Sequence, residues 1–109
     1  MIQDDACCLA MVTAPDAQCA RRLVGLALEA RLAACANVTL NLESHYWWQG
    51  KIQSSSEALI LFKTTSMNLA RLETLILQNH PYETPEFVVI PILHGNLRYM
   101  EWIRSNSTP

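Results

Sequence analysis

The strongest constraint on this chain is the run from Tyr46 to Thr65. Tyr46-Trp47-Trp48-Gln49-Gly50-Lys51-Ile52 places aromatics before a glycine-centred turn, and Glu57-Ala58-Leu59-Ile60-Leu61-Phe62-Lys63-Thr64-Thr65 follows as an apolar stretch. Together they read as two long antiparallel strands joined at Gln49-Gly50. Alternate side chains of a strand point to opposite faces. Glu57, Leu59, Leu61 and Lys63 therefore share one face, and Ala58, Ile60, Phe62 and Thr64 share the other. A strand covered on one side alternates apolar with polar residues. This one is apolar on both, so it is expected to be central and covered twice.

The flanking segments fit around it. Cys7 to Val12 is a short apolar strand ended by Thr13-Ala14-Pro15-Asp16, and Asp16 is placed to cap a helix. Ala20, Leu23, Val24, Ala27 and Leu28 recur at helical spacing, with Arg21, Arg22 and Glu29 facing away, and this helix should end near Arg31. Leu32 to Val38 leads into a second strand running on to Trp48, with a bulge or bend expected between Thr39 and Ser44, where alternation breaks. Thr65 or Ser66 caps a second helix striped by Leu69, Leu72, Leu75 and Ile76, with Asn68, Arg71 and Thr74 outside. His80-Pro81-Tyr82-Glu83-Thr84-Pro85-Glu86 is a loop, because each proline lacks an N–H and biases its predecessor away from helix. Phe87 to Ile90 is a fourth strand, and Pro91 marks it as an edge or an end. Gly95-Asn96 opens a last helix from Leu97 to about Arg104, carrying Leu97, Met100 and Ile103, and Ser105–Pro109 reads as a frayed polar tail.

The order is β-α-β-β-α-β plus a terminal helix, an α+β chain of the split βαβ, ferredoxin-like kind. Its 109 residues suit one domain, ordered from about residue 6 to about residue 104. Right-handed crossovers put both main helices on one face of the sheet. The other face stays bare in a single subunit although it is apolar, so the sequence asks for an oligomer.

Charge and cysteine usage narrow the function. A net charge of −2 without a Lys/Arg run argues against nucleic acid, which requires a clustered basic footprint. No uninterrupted apolar stretch reaches the length of a membrane span, and the opening Met1-Ile2-Gln3-Asp4-Asp5 is acidic where a secretory signal is basic, so a cytoplasmic protein is expected. Cys7, Cys8, Cys19 and Cys35 form no CxxC pair, and Cys7 and Cys8 should point to opposite faces as small buried hydrophobes. An enzyme is not expected. There is no GxSxG and no phosphate-cradling glycine loop, and no spacing signature joins His80, Glu83 and Thr13 into a nucleophile–base set.

Six motifs in register closely resemble the CutA family, the divalent-cation tolerance proteins. They are Thr13-Ala14-Pro15-Asp16, Arg31-Leu32-Ala33-Ala34-Cys35-Ala36-Asn37, Tyr46-x-Trp48-x-Gly50-Lys51, Lys63-Thr64-Thr65, His80-Pro81-Tyr82-x-x-Pro85-Glu86 and Gly95-Asn96-x-x-Tyr99-x-x-Trp102. The resemblance implies a tight homotrimer with sheet faces inward and hairpins crossing between subunits. It also implies a part in tolerance to divalent metals, copper especially, with copper(II) binding. Some copper-binding members have Cys where this chain has Val12 and His where it has Asn79, so only His80 of that set remains. Weak copper(II) binding is therefore expected, at His80, with Cys35 the next candidate.

The architecture is also similar to PII-type signalling proteins, which bind small effectors between subunits. On that alternative, Tyr46, Trp48, Lys63, Tyr82 and Glu83 are expected to converge on one intersubunit cleft for a small anion. Tyr46 and Lys63 are too far apart along one hairpin to meet within a subunit. A structural trimer with an indirect metal phenotype is the third reading.

Overall fold

The computed structural model describes residues 5–109; most of the acidic opening, residues 1–4, lies outside the described residues. Four strands, three α-helices and one 3-10 turn follow in order: β1 (Cys7–Ala14), α1 (Ala17–Glu29), β2 (Cys35–Trp48), β3 (Lys51–Thr65), a 3-10 turn (Ser66–Asn68), α2 (Leu69–Asn79), β4 (Val88–Pro91) and α3 (Leu97–Asn106). The sheet order is β2-β3-β1-β4, antiparallel throughout, so β3 is central as its two apolar faces require. β4 pairs only with β1, and Pro91 closes it opposite Cys8, at an edge where its missing donor costs no second ladder.

Local chemistry sets the turns. Gln49 and Gly50 have φ of 51° and 77°, the all-positive pair of a two-residue hairpin turn whose twist matches the strands it joins. Trp48 faces Lys51 across it. The register of β2 slips between Thr39 and Leu42, where Asn41 takes a φ of 59°, and this is the expected bulge. Asp16 accepts a hydrogen bond from the Cys19 N–H and starts α1, while Arg31, at φ 56°, ends it.

The core lies between the helix-facing side of the sheet and α1 and α2. Ala10, Val12, Ile60 and Phe62 pack there on Ala20, Leu23, Ala27, Leu72 and Ile76, all of them inaccessible to water. The opposite side carries Leu9, Met11, Leu59 and Leu61, which are half-buried, with Val88 50% and Ile90 44% exposed beside them. α3 reaches that side across the end where the Cys7 thiol meets the Met100 carbonyl, and the loop after α2 reaches it where the Tyr82 hydroxyl meets Glu57. The double cover expected for β3 is thus half supplied by its own chain.

Beyond Ala58 the strand β1 stops, and residues 42–57 continue as a two-stranded arm that lengthens the molecule to 44 × 26 × 23 Å. Trp47 is 72% and Ile52 69% exposed on it. A lone two-stranded ribbon is marginal in water, and among the described residues no third strand pairs with this arm.

Three local expectations are corrected. Asn68 is buried, not outside, because its amide is drawn inward to the Ser107 carbonyl and to the hydroxyls of Thr64 and Thr65. α2 accordingly starts after a 3-10 turn, and Thr65 makes no side-chain cap. The tail is not frayed: α3 runs to Asn106 and Ser107 is buried, with its hydroxyl donating to the Ile103 carbonyl. Leu97, expected on the apolar stripe of α3, is 73% exposed, and Ile103 carries the packing.

Cys7 and Cys8 are both buried, and burial pushes the Cys8 thiol up to about 11 and raises that of Cys7. The folded state holds Cys8 protonated after an unfolded chain would lose the proton. Its contribution to stability is therefore complete below pH 9 and fades as pH rises toward about 11. A thiol reagent at pH 8 should accordingly label Cys35 first and leave Cys7 and Cys8 unlabelled until denaturant is added. Peptide mass mapping that finds Cys8 labelled as fast as Cys35 in native protein would contradict this packing.

Candidate functional site

The arm and the loop after α2 define a broad concavity. The half-buried side of β1 and β3 gives it a floor through Met11, Thr13 and Leu59. β2 sends Tyr46 and Trp48 up one wall, and the loop brings Tyr82, Glu83 and Glu86 to the other. The groove encloses about 1020 Å³ and is open to solvent.

Two hydrogen-bonded links hold the loop in place. His80 Nε2 lies 2.7 Å from the Thr13 carbonyl oxygen, which can only accept, so this nitrogen donates. His80 Nδ1 accepts from the Tyr82 backbone N–H at 3.1 Å, and the two rings pack with centroids 4.7 Å apart. The Tyr82 hydroxyl then donates to Glu57 Oε2 at 2.7 Å. Burial, reinforced by that bond to an anion, raises the Tyr82 phenol above its usual range, so it stays a donor. Glu57 was legible in the sequence only as a strand residue. Nothing in its neighbours signals that a loop 25 positions away will seek its carboxylate.

Lys63 stands elsewhere. In β3 it pairs with Cys35, whereas Tyr46 pairs with Gln53, so ten rungs separate them, or about 33 Å at 3.3 Å per residue. Within one subunit Lys63 and Tyr46 do not meet, as their spacing on the hairpin requires. Lys63 Nζ donates instead to the Tyr99 hydroxyl at 3.1 Å and lies 5.4 Å from that ring's centroid, and the hydrogen bond raises the ammonium's pKa. Cys35 Sγ is 3.7 Å from the same hydroxyl, and Tyr99 stacks on Trp102.

The sequence candidates thus fall into two places. Tyr46, Trp48, Tyr82 and Glu83 line the groove, with His80 behind its loop; Lys63 and Cys35 sit at the α3 end of the sheet. Thr13, which holds His80, pairs with Leu59, four rungs from the Lys63–Cys35 pair. Some 13 Å of strand therefore separates the two metal candidates. Both ring nitrogens of His80 are engaged, and among the described residues no three His, Cys, Asp or Glu side chains gather as a metal site. The described residues of one chain do not fit copper(II), which favours several nitrogen or oxygen ligands at once.

Residues 8–106 match the family model of the CutA1 divalent ion tolerance protein. The divalent-cation tolerance protein CutA of Thermus thermophilus is 39% identical over 97 residues, covering 89% of this chain and 94% of that protein. The chloroplastic protein CutA 1 of rice is 42% identical over 97 residues, and there the match spans 54% of its length. Among solved structures, CutA1 from Oryza sativa superimposes with a TM-score of 0.92 at 37% identity, covering 94% of each chain. The Thermus thermophilus structure gives 0.91 at 37% identity over 94% of this chain and 99% of that one.

Proposed function

Because the chain belongs to the CutA1 divalent ion tolerance family, we propose that it serves divalent-metal tolerance as a homotrimeric binding protein, not as an enzyme. One observation carries the assembly: the chain leaves an apolar sheet face uncovered, with Val88 and Ile90 about half exposed on it. The protruding arm, with Trp47 and Ile52 in solvent, supports it, since aromatic anchors are favoured at interfaces. We place the protein in the cytoplasm, a reading supported by its four free cysteines. No helix among the described residues is long and apolar enough to cross a membrane.

Metal binding in this reading is weak and belongs to the assembly. The described residues of one chain supply no chelating set, so in this reading a copper(II) site joins His80 to groups of another subunit, and His80 gives up one of its two bonds to take part. A small-anion sensor is the second reading, favoured by Lys63, half-buried with its ammonium presented at the strand end.

Sedimentation equilibrium should give about 37 kDa at micromolar concentration, three times the 12.3 kDa of the chain. Calorimetric titration with copper(II) should show weak binding, with imidazole nitrogen couplings in the electron paramagnetic resonance spectrum. His80→Ala should abolish both, and His45→Ala should change neither. A monomer mass overturns the assembly. An unchanged titration in His80→Ala moves the ligands elsewhere, with Cys35→Ser the next variant to measure.

A further inference from the structure

The end of α2 calls for a cation. Its last carbonyls form the negative end of the helix dipole, and its own last turn carries no basic residue. Arg22 supplies the charge from α1. Its Nη1 donates to the Asn79 carbonyl and its Nη2 to Asn79 Oδ1, both at 3.1 Å. The Asn79 side-chain nitrogen donates in turn to the Leu75 carbonyl at 2.8 Å. Arg22, Asn79 and His80 line one recess between the helices. Both helices pack on the core side of the sheet, so this corner lies away from the uncovered face.

The groups there are fully used. Both oxygens of Asn79 face a fixed cation, and both ring nitrogens of His80 are engaged. The charge reaches further: burial and Asp16 raise the Cys19 thiol, and Arg22 opposes them. A divalent metal is drawn to the same oxygens and the same imidazole, and it meets a like charge beside them. The poor fit of copper(II) to the described residues of one chain is therefore more than a shortage of ligands.

We propose that Arg22 is a resident cation that keeps divalent metal from the His80 corner and so sets how weakly the chain holds it. This rests on the reading that His80 takes part in metal binding. The two hydrogen bonds lie within one chain and need no open groove. If the Arg22–Asn79 contact served only to hold the end of α2 and position His80, its loss would have the opposite sign and weaken binding.

The full chain, Arg22→Gln and Arg22→Lys are titrated with copper(II) by calorimetry, with electron paramagnetic resonance of the same samples. Arg22→Gln removes the charge and should bind about tenfold more tightly, as loss of a unit charge roughly 6 Å from a dication allows. Its spectrum should keep the imidazole couplings, and high salt should narrow the difference. Arg22→Lys keeps the charge without the two-armed contact and should stay as weak as the parent protein. Arg21→Gln, which removes the same charge from an exposed position on α1, should leave the affinity as it was. Circular dichroism and sedimentation verify the fold and mass of each variant. His80→Ala is made in the parent and in Arg22→Gln. Binding that needs His80 but is equal or weaker in Arg22→Gln overturns this proposal alone, as does tighter binding in Arg22→Lys. Binding that survives His80→Ala in the parent overturns the metal reading, and no binding in any of the proteins overturns both.

Discussion

Asn68→Ala should lower the melting temperature by roughly 10–20 °C, the shift that about 3 kcal/mol produces in a domain of this size. Asn68 is 2% exposed, and its two amide hydrogens are shared among the Ser107 carbonyl and the hydroxyls of Thr64 and Thr65. Thr64 in turn donates to the Leu32 carbonyl at 2.7 Å, so one side chain ties β3, the segment before β2 and the end of α3. Truncation leaves a buried carbonyl without its donor and opens a cavity where water has no ready path. That is costlier than losing an exposed hydrogen bond, because the orphaned group keeps its full desolvation penalty. Hydrogen exchange supplies an independent check: amides of residues 103–107 should lose protection before those of β1 and β3 do. A melting temperature within a degree or two of the parent protein would show that this junction does not hold the tail.

The second large effect concerns assembly. Val88→Asp with Ile90→Asp should convert the proposed trimer into a folded monomer of 12.3 kDa at micromolar concentration. Both positions face the same side as Met11 and Leu9 in the register of β1 and β4, and both are about half exposed in one chain. The isolated subunit therefore tolerates carboxylates there. An interface does not, since burying an unpaired charge costs several kcal/mol at each site and the cost recurs in every subunit. Leu77→Asp is the control, placed on the outer side of α2 where the parent residue is 47% exposed, and it should leave the mass unchanged. Circular dichroism must show native secondary structure in all variants. Should the double variant still sediment as a trimer, the uncovered sheet face is not where the subunits meet.

These two positions differ in how far the sequence alone could see them. Val88 and Ile90 were legible, because alternation in a strand is decided by the residue's own parity and by its immediate neighbours. The same holds for the Gln49-Gly50 turn, the bulge at Asn41, the Asp16 cap and the edge position of Pro91. Each follows from steric and hydrogen-bonding rules that act within about four residues. β3 was legible as central for the same reason, and so was the missing cover on its second side.

Asn68 and the groove were not. Asn68 reads as an outward-facing residue of the second helix, and only the return of α3, 39 positions later, gives its amide a buried acceptor. Ser105–Pro109 reads as a polar tail until that same contact fixes it. Tyr82 and Glu57 are 25 positions apart, and His80 and Thr13 are 67 apart. The Tyr82 hydroxyl met the Glu57 carboxylate, and the His80 ring met the Thr13 backbone carbonyl, because the loop after α2 is carried across the end of β1, which no local rule specifies. The sign of the groove was decided there too: one loop placed Glu83 and Glu86 opposite Tyr46 and Trp48, while strand spacing held Lys63 about 33 Å away along β3. Periodicity, turns and the uncovered apolar face were properties of short stretches of chain. Which polar groups were buried together, and what charge the groove presents, required the strands to be in register first.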